Sequence, residues 1–218
     1  MTERPILFSA EMVRAILAGR KTQTRRVMKV QPYPDSIVTV EHYHQTVIDR
    51  HGDMQPGPEV FGAHWDDGEY GARCPYGAPG DLLWVRETWR VHKSYDVLNA
   101  ARVYGAMGGD VAYCVDYLAT PRNEDFWGRG RPSIHMPRWA SRITLRITDV
   151  RVERLQAISE DDARAEGCPY PPEWAGRFMD RDETAKTWFK SIWNTINGPG
   201  AWDANPWVWA ISFERVKP

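Results

Sequence analysis

"AILAGRKTQTRR", Ala15 to Arg26, marks a change of local structure. Before it, Met12, Val13, Ile16 and Leu17 follow the i, i+3, i+4 spacing of a short amphipathic helix, and Ser9 stands where an N-cap belongs. Gly19 is a natural residue to follow the helix end, because it takes a positive φ without steric cost. Arg20 to Arg26 therefore leave the helix as a loop and run into a strand. The stretch is also unmixed in charge. No acid falls between Glu11 and Asp35, whereas Arg14, Arg20, Lys21, Arg25, Arg26 and Lys29 all do.

Working outward, "PILF" (Pro5 to Phe8) reads as a short strand before the helix. "APGD" (Ala78 to Asp81) is a turn, and "LLWVRETWR" follows as one strand. On it, Leu83, Val85 and Glu87 share one face and Trp84, Arg86 and Thr88 the other. "RITLRITDVRVERL" (Arg142 to Leu155) alternates with Ile143, Leu145 and Ile147 on one face. "SEDDARAEG" opens with a capping-box serine, Ser159, and stops at Gly167. "ETAKTWFKSIWNTING" (Glu183 to Gly198) is a helix with an apolar stripe of Ala185, Trp188, Phe189, Ile192, Trp193 and Ile196. "NPWVWAISFERV" closes the chain as a strand.

Two stretches lack this order. Residues 31–80 are rich in Pro, Gly, His and Asp, with one hairpin expected around "SIVTVEHYHQTVI"; residues 93–135 are irregular, with a strand near "VAYCVDY". Many strands, few helices and 218 residues give an α+β fold. We expect one domain over residues 1–218, a small β-barrel with helices on its rim, carrying insertions at about 31–80 and 93–135.

Composition removes several classes. The formal net charge is −1, so any attraction to nucleic acid has to be local. Cys74, Cys114 and Cys168 are odd in number and widely spaced, which argues against a zinc site and a disulfide framework and fits a reducing cytoplasm. No 18-residue apolar run and no signal-peptide core occur, so neither a membrane span nor export is expected. No cofactor or metal is expected; "GAMGGD" lacks the Lys and Ser/Thr of a phosphate loop, and His42 and His44 lack a carboxylate partner. Eleven Trp exceed what a core of this size needs, and some suit a ligand-stacking role.

Lys21 and Thr24 are the first candidates for chemistry. A threonine hydroxyl attacks only once a base takes its proton, and a neutral lysine is such a base. The charges of Arg20, Arg25 and Arg26 would disfavour the ammonium and lower its pKa. The same basic stretch also fits a solvated turn or a phosphate contact. Glu87, on a strand between two Trp, needs a cation such as Arg86 or one from the first motif, and a structural ion pair is the simpler role for it. "RPSIHMPRWASR" (Arg131 to Arg142) interleaves Arg131, His135, Arg138, Trp139 and Arg142, a pattern suited to binding a nucleotide through charge and stacking.

"GRKTQTRR", "PGDLLWVRETW", "MPRWASRI" and "SEDDARAEG" together resemble the ASCH-domain family, whose members have a PUA-like β-barrel, and most of all its longer members from phages and prophages. Small members of that family are N(4)-acetylcytidine amidohydrolases. The resemblance implies a catalytic trio of Lys21, Thr24 and Glu166, with Arg26 on the substrate oxygen. Lys21 would deprotonate Thr24, and Glu166 would orient Lys21 or pass a proton to the leaving amine. Trp84, Glu87, Arg138 and Trp139 are the further candidates for substrate contact, and Glu87 is the alternative acid for Lys21. The expected partner is a nucleoside or a single-stranded nucleic acid. The competing readings are a non-catalytic RNA, DNA or modified-base binding module and a metal-free ribonuclease.

Overall fold

The computed structural model describes residues 1–68, 70–99, 102–103, 111–113, 126–170 and 185–216. It is a mixed α+β structure, mostly sheet with few helices. The chain forms two compact units interleaved in sequence. One comprises Met1–Gly19, Leu82–Arg146 and Glu214–Pro218; the other comprises Arg20–Asp81 and Ile147–Phe213.

In the first unit, β1 (Glu3–Leu7) lies parallel to β6 (Leu82–Arg86), in register from Glu3 opposite Leu82 to Leu7 opposite Arg86. The start of β9 (Thr144–Arg154) pairs antiparallel on β6, with Trp84 opposite Thr144. Helix α1 (Ala10–Leu17) begins as its sequence requires: the Met12 N–H donates to the Ser9 hydroxyl. Val13, Ala15 and Ile16 are its buried residues, and Gly19 follows with φ +74°.

The expected single strand over "LLWVRETWR" breaks in two. β6 stops at Arg86, and β7 (Trp89–Arg90) pairs instead with β8 (Ala112–Tyr113). The reason lies between them. The Glu87 N–H points at the Met136 sulfur, and Trp89 exchanges both backbone hydrogen bonds with Arg131. The chain thus changes partner at Glu87. Trp89, Val91, Val103, Met136 and Ala140 build a small core around this turn. In "VAYCVDY", Ala112 and Tyr113 are in a strand; Cys114 to Tyr117 lie outside the described residues.

In the second unit, β10 (Trp207–Val216) is flanked by β9 and by β2 (Gln23–Val27). β2 runs antiparallel to β10, with Gln23 opposite Ser212 and Val27 opposite Val208. Residues 31–80 hold more order than one hairpin: β3 (Thr39–Ile48), β4 (Met54–Trp65) and β5 (Tyr70–Arg73) form a three-stranded antiparallel sheet. Pro56, Gly57 and Pro58 hide β4 from a propensity reading. The sheet accepts them because its register shifts between His44 and Thr46, opposite that segment. The "APGD" turn forms as expected, closed by the Asp81 N–H on the Ala78 carbonyl.

Helix α2 (Glu160–Ala165) is capped by the Ser159 hydroxyl, which accepts from the Asp162 N–H at 3.0 Å. Helix α3 (Ala185–Asn197) buries Ala185, Phe189 and Trp193 against Leu155, Ile158, Ala163 and Trp202. Trp188 packs partly on this core, but Ile196, expected in the stripe, is 56% exposed in the last turn. Among the described residues the strands do not close into a barrel: β1 has one strand neighbour, β6, and β2 has one, β10. No described helix is long and apolar enough to cross a membrane.

Candidate active site

The backbone ahead of β2 is clamped before any side chain is considered. Lys21 forms an antiparallel bridge with Glu166, the residue that ends α2. The Thr22 N–H donates to the Ala165 carbonyl at 2.9 Å, and the Thr22 carbonyl accepts from Phe213 at 2.8 Å. Lys21 is thereby carried inside, and its side chain has no exposed surface.

The Lys21 ammonium reaches Glu166 twice. Nζ donates to the carboxylate Oε2 at 2.6 Å and to the backbone carbonyl at 2.8 Å. The second contact satisfies a carbonyl that a helix end leaves without an intrahelical partner. The other carboxylate oxygen, Oε1, accepts from Arg25 Nη1 at 3.2 Å.

Arg25 organises the rest. Strand alternation puts Gln23 and Arg25 on one face of β2 and Thr24 and Arg26 on the other. The Arg25 guanidinium, wholly buried, donates to Gln23 Oε1 (2.6 Å), Glu153 Oε1 (2.8 Å) and Asp162 Oδ2 (3.1 Å) as well as to Glu166. The guanidinium also lies over the Phe189 ring, 5.9 Å from the centroid. Arg151 extends the network outward to Asp162 and Asp149.

Burial pulls the Lys21 amine below the ordinary lysine range, against the attraction and hydrogen bond of Glu166; the charges of Arg26 and Arg25 add to the downward pull. The direction matches the sequence expectation, but desolvation leads, and Arg20 instead donates to the Gly167 carbonyl at 3.0 Å. For Asp162, burial pushes the carboxyl up but is outweighed by Arg25, Gln23, Arg151 and Ser159, so it lies below the usual range.

Of the trio, Lys21 and Glu166 are brought into direct contact from 145 residues apart in sequence. Thr24 is buried, 2% exposed, and shares its strand face with Arg26. Glu87 pairs with a cation of its own unit, Arg142. Its carboxylate, 1% exposed, chelates Arg142 through Nε (2.9 Å) and Nη2 (3.0 Å), under the Tyr113 ring. That is the structural ion pair expected as its simpler role, with a different cation.

No protein-family model, curated protein or solved structure matches the chain.

The remaining substrate-contact candidates lie in the first unit and have partners there. Trp84 is buried, with the Arg86 guanidinium 4.7 Å over its ring. Arg138 grips Glu3 through two nitrogens at 2.8 and 3.2 Å. Trp139 stands edge-on to Trp89, ring centroids 5.8 Å apart. His44 uses Nδ1 on the Gly57 carbonyl, and the described residues contain no group of three His, Cys, Asp or Glu able to hold a metal. Cys74 and Cys168 are buried and form no disulfide among the described residues.

Sequence reasoning missed Arg25, Gln23, Glu153 and Asp162 as the frame around Glu166. Asp162 stands at the capping-box position three residues after Ser159, the shared parity of Gln23 and Arg25 was the signal for those two, and Glu153 carried none.

Proposed function

We propose that the chain is an ASCH-type domain of PUA-like descent, cytoplasmic, and that it hydrolyses the amide of an acylated nucleoside such as N(4)-acetylcytidine. The observation that carries the reading is the fully buried Lys21–Glu166 contact, in which the amine is held at 2.6 Å and biased toward its neutral form. A lowered pKa suits a lysine to act as a general base more readily than an exposed, ordinary one.

In the proposed reaction Lys21 takes the Thr24 hydroxyl proton as Thr24 Oγ attacks the acetyl carbonyl. The C–N bond then breaks, the proton passes to the departing amine, and the acetyl group remains as an ester on Thr24. Water attacks that ester with Lys21 again as base, releasing acetate and restoring the hydroxyl. Glu166 keeps the amine in place and stabilises the ammonium formed in each half. Arg26, on the same strand face as Thr24, suits the developing oxyanion.

The same stretch is less suited to gripping phosphate, as the nucleic-acid and ribonuclease readings require. Lys21 and Arg25 are buried and covered by carboxylates, so they offer no free charge to a strand.

The test is acetate release from N(4)-acetylcytidine. Thr24→Val keeps the side-chain shape without the hydroxyl and is expected to lower turnover about 1000-fold, with an unchanged circular dichroism spectrum. Absence of turnover across a panel of acylated nucleosides, or full activity in Thr24→Val, sinks the reading.

A further inference from the structure

The first compact unit contains a cleft of about 610 Å3, within the size range of small-molecule sites. Trp89, Leu98, Asn99, Arg129, Arg131 and His135 contribute to its wall, and no carboxylate is among its described lining residues. It lies beside the small core of Trp89, Val91 and Met136.

The cations of this wall are held in place without being neutralised. Arg131 donates through Nη1 to the Leu98 carbonyl (3.0 Å) and through Nη2 to those of Tyr95 (3.0 Å) and Asp96 (3.3 Å). Its guanidinium lies over the Trp89 ring, 5.4 Å from the centroid. Arg129 Nη2 donates to the Asp96 carbonyl at 3.4 Å. These acceptors are neutral backbone carbonyls. The nearby Asp96 carboxylate is outside the lining and accepts from the Arg129 backbone N–H at 2.9 Å.

The wall is also short of acceptors. Arg131 Nε and the indole N–H of Trp89, a residue with no exposed surface, are buried donors without a hydrogen-bond partner. Two arginines, an imidazole and spare donors, next to the apolar Leu98 and Pro132, suit a ligand with an oxyanion at one end and an organic body at the other. We propose that this cleft binds a phosphate monoester of nucleotide size. Arg129 and His135 contact the phosphate, Arg131 supplies the fixed charge behind them, and the body lies over Leu98 and Pro132. The site is independent of the hydrolase reading; none of Lys21, Thr24 and Glu166 lines it.

The test is calorimetric titration of the full chain with cytidine 5′-monophosphate. Saturable binding is expected, with cytidine binding at least about tenfold more weakly. Arg129→Glu and Val97→Glu, both at exposed lining positions, are each expected to weaken binding by about tenfold or more. No saturation by about 10 mM, equal affinity for cytidine, or full binding in both charge variants overturns the proposal. Stronger binding of an oligocytidylate that lacks terminal phosphates also overturns it, in favour of a strand.

Discussion

Arg25 holds the Glu166 carboxylate oxygen that Lys21 leaves free: Nη1 meets Oε1 at 3.2 Å while Lys21 Nζ meets Oε2 at 2.6 Å. A carboxylate gripped at both oxygens cannot rotate away from the amine. Because the same guanidinium binds Glu153 and Asp162, orientation of the proposed base depends on a residue facing away from Thr24.

Replacing Arg25 with Met is therefore expected to destabilise the fold by about 3–5 kcal/mol, since it strands buried acids without their cation. Arg25→Lys is expected to recover only part of this, because an ammonium cannot fork between Glu166 and Glu153. Urea denaturation midpoints check both. A loss of less than about 1 kcal/mol in Arg25→Met would mean that the network contributes little.

Lys21 gives stability a pH dependence below 10.5. Its folded pKa lies below the ordinary 10.5. Between the two values the unfolded chain carries the proton and the folded chain does not. Stability then rises with pH across that window; the contribution is complete above 10.5 and is lost as pH falls through the folded pKa. Denaturation midpoints measured as pH approaches 10.5 should climb in the wild type relative to Lys21→Met. Parallel curves would show that the amine is not depressed.

Asp162 acts at the acid end. Its folded pKa lies below 3.8, so its contribution is present above 3.8 and disappears as pH falls through the lowered value. Asp162→Asn should lower stability at neutral pH and flatten the loss in strong acid. Identical acid-unfolding slopes for the two proteins would contradict this assignment.

Gly62 tests the β4–β5 pairing. A Cβ there would collide with the Ala72 carbonyl oxygen and stand 2.8 Å from the Arg73 Cα, both backbone atoms with little room to yield. Gly62→Ala is expected to cost about 1–3 kcal/mol and to raise amide exchange in Tyr70–Arg73. Wild-type exchange rates there would refute the pairing.

Much of the fold was legible because its signals are local. Ser9 and Ser159 cap the helices they precede, and Gly19 and Gly167 follow helix ends with positive φ. The Ile143, Leu145, Ile147 alternation lands in the core, as does half of the α3 stripe. β4 was not legible, because Pro56 and Pro58 lower strand propensity and only the shifted register on β3 accommodates them. The break at Glu87 was equally hidden, because Met136 and Arg131, which draw the chain aside, are distant in sequence.

By itself the sequence determined which segments alternate, where helices begin and stop, and that Lys21 and Thr24 sit on the approach to a strand. Periodicity and capping act over a few residues and need no knowledge of the rest of the chain. Only the tertiary structure decided that Glu166 meets Lys21, that Arg142 takes Glu87, and that Arg25 is a buried hub. A buried charge is tolerated only beside an opposite one. Which opposite charge that is depends on backbone pairing, such as the Lys21–Glu166 bridge, that forms across most of the chain.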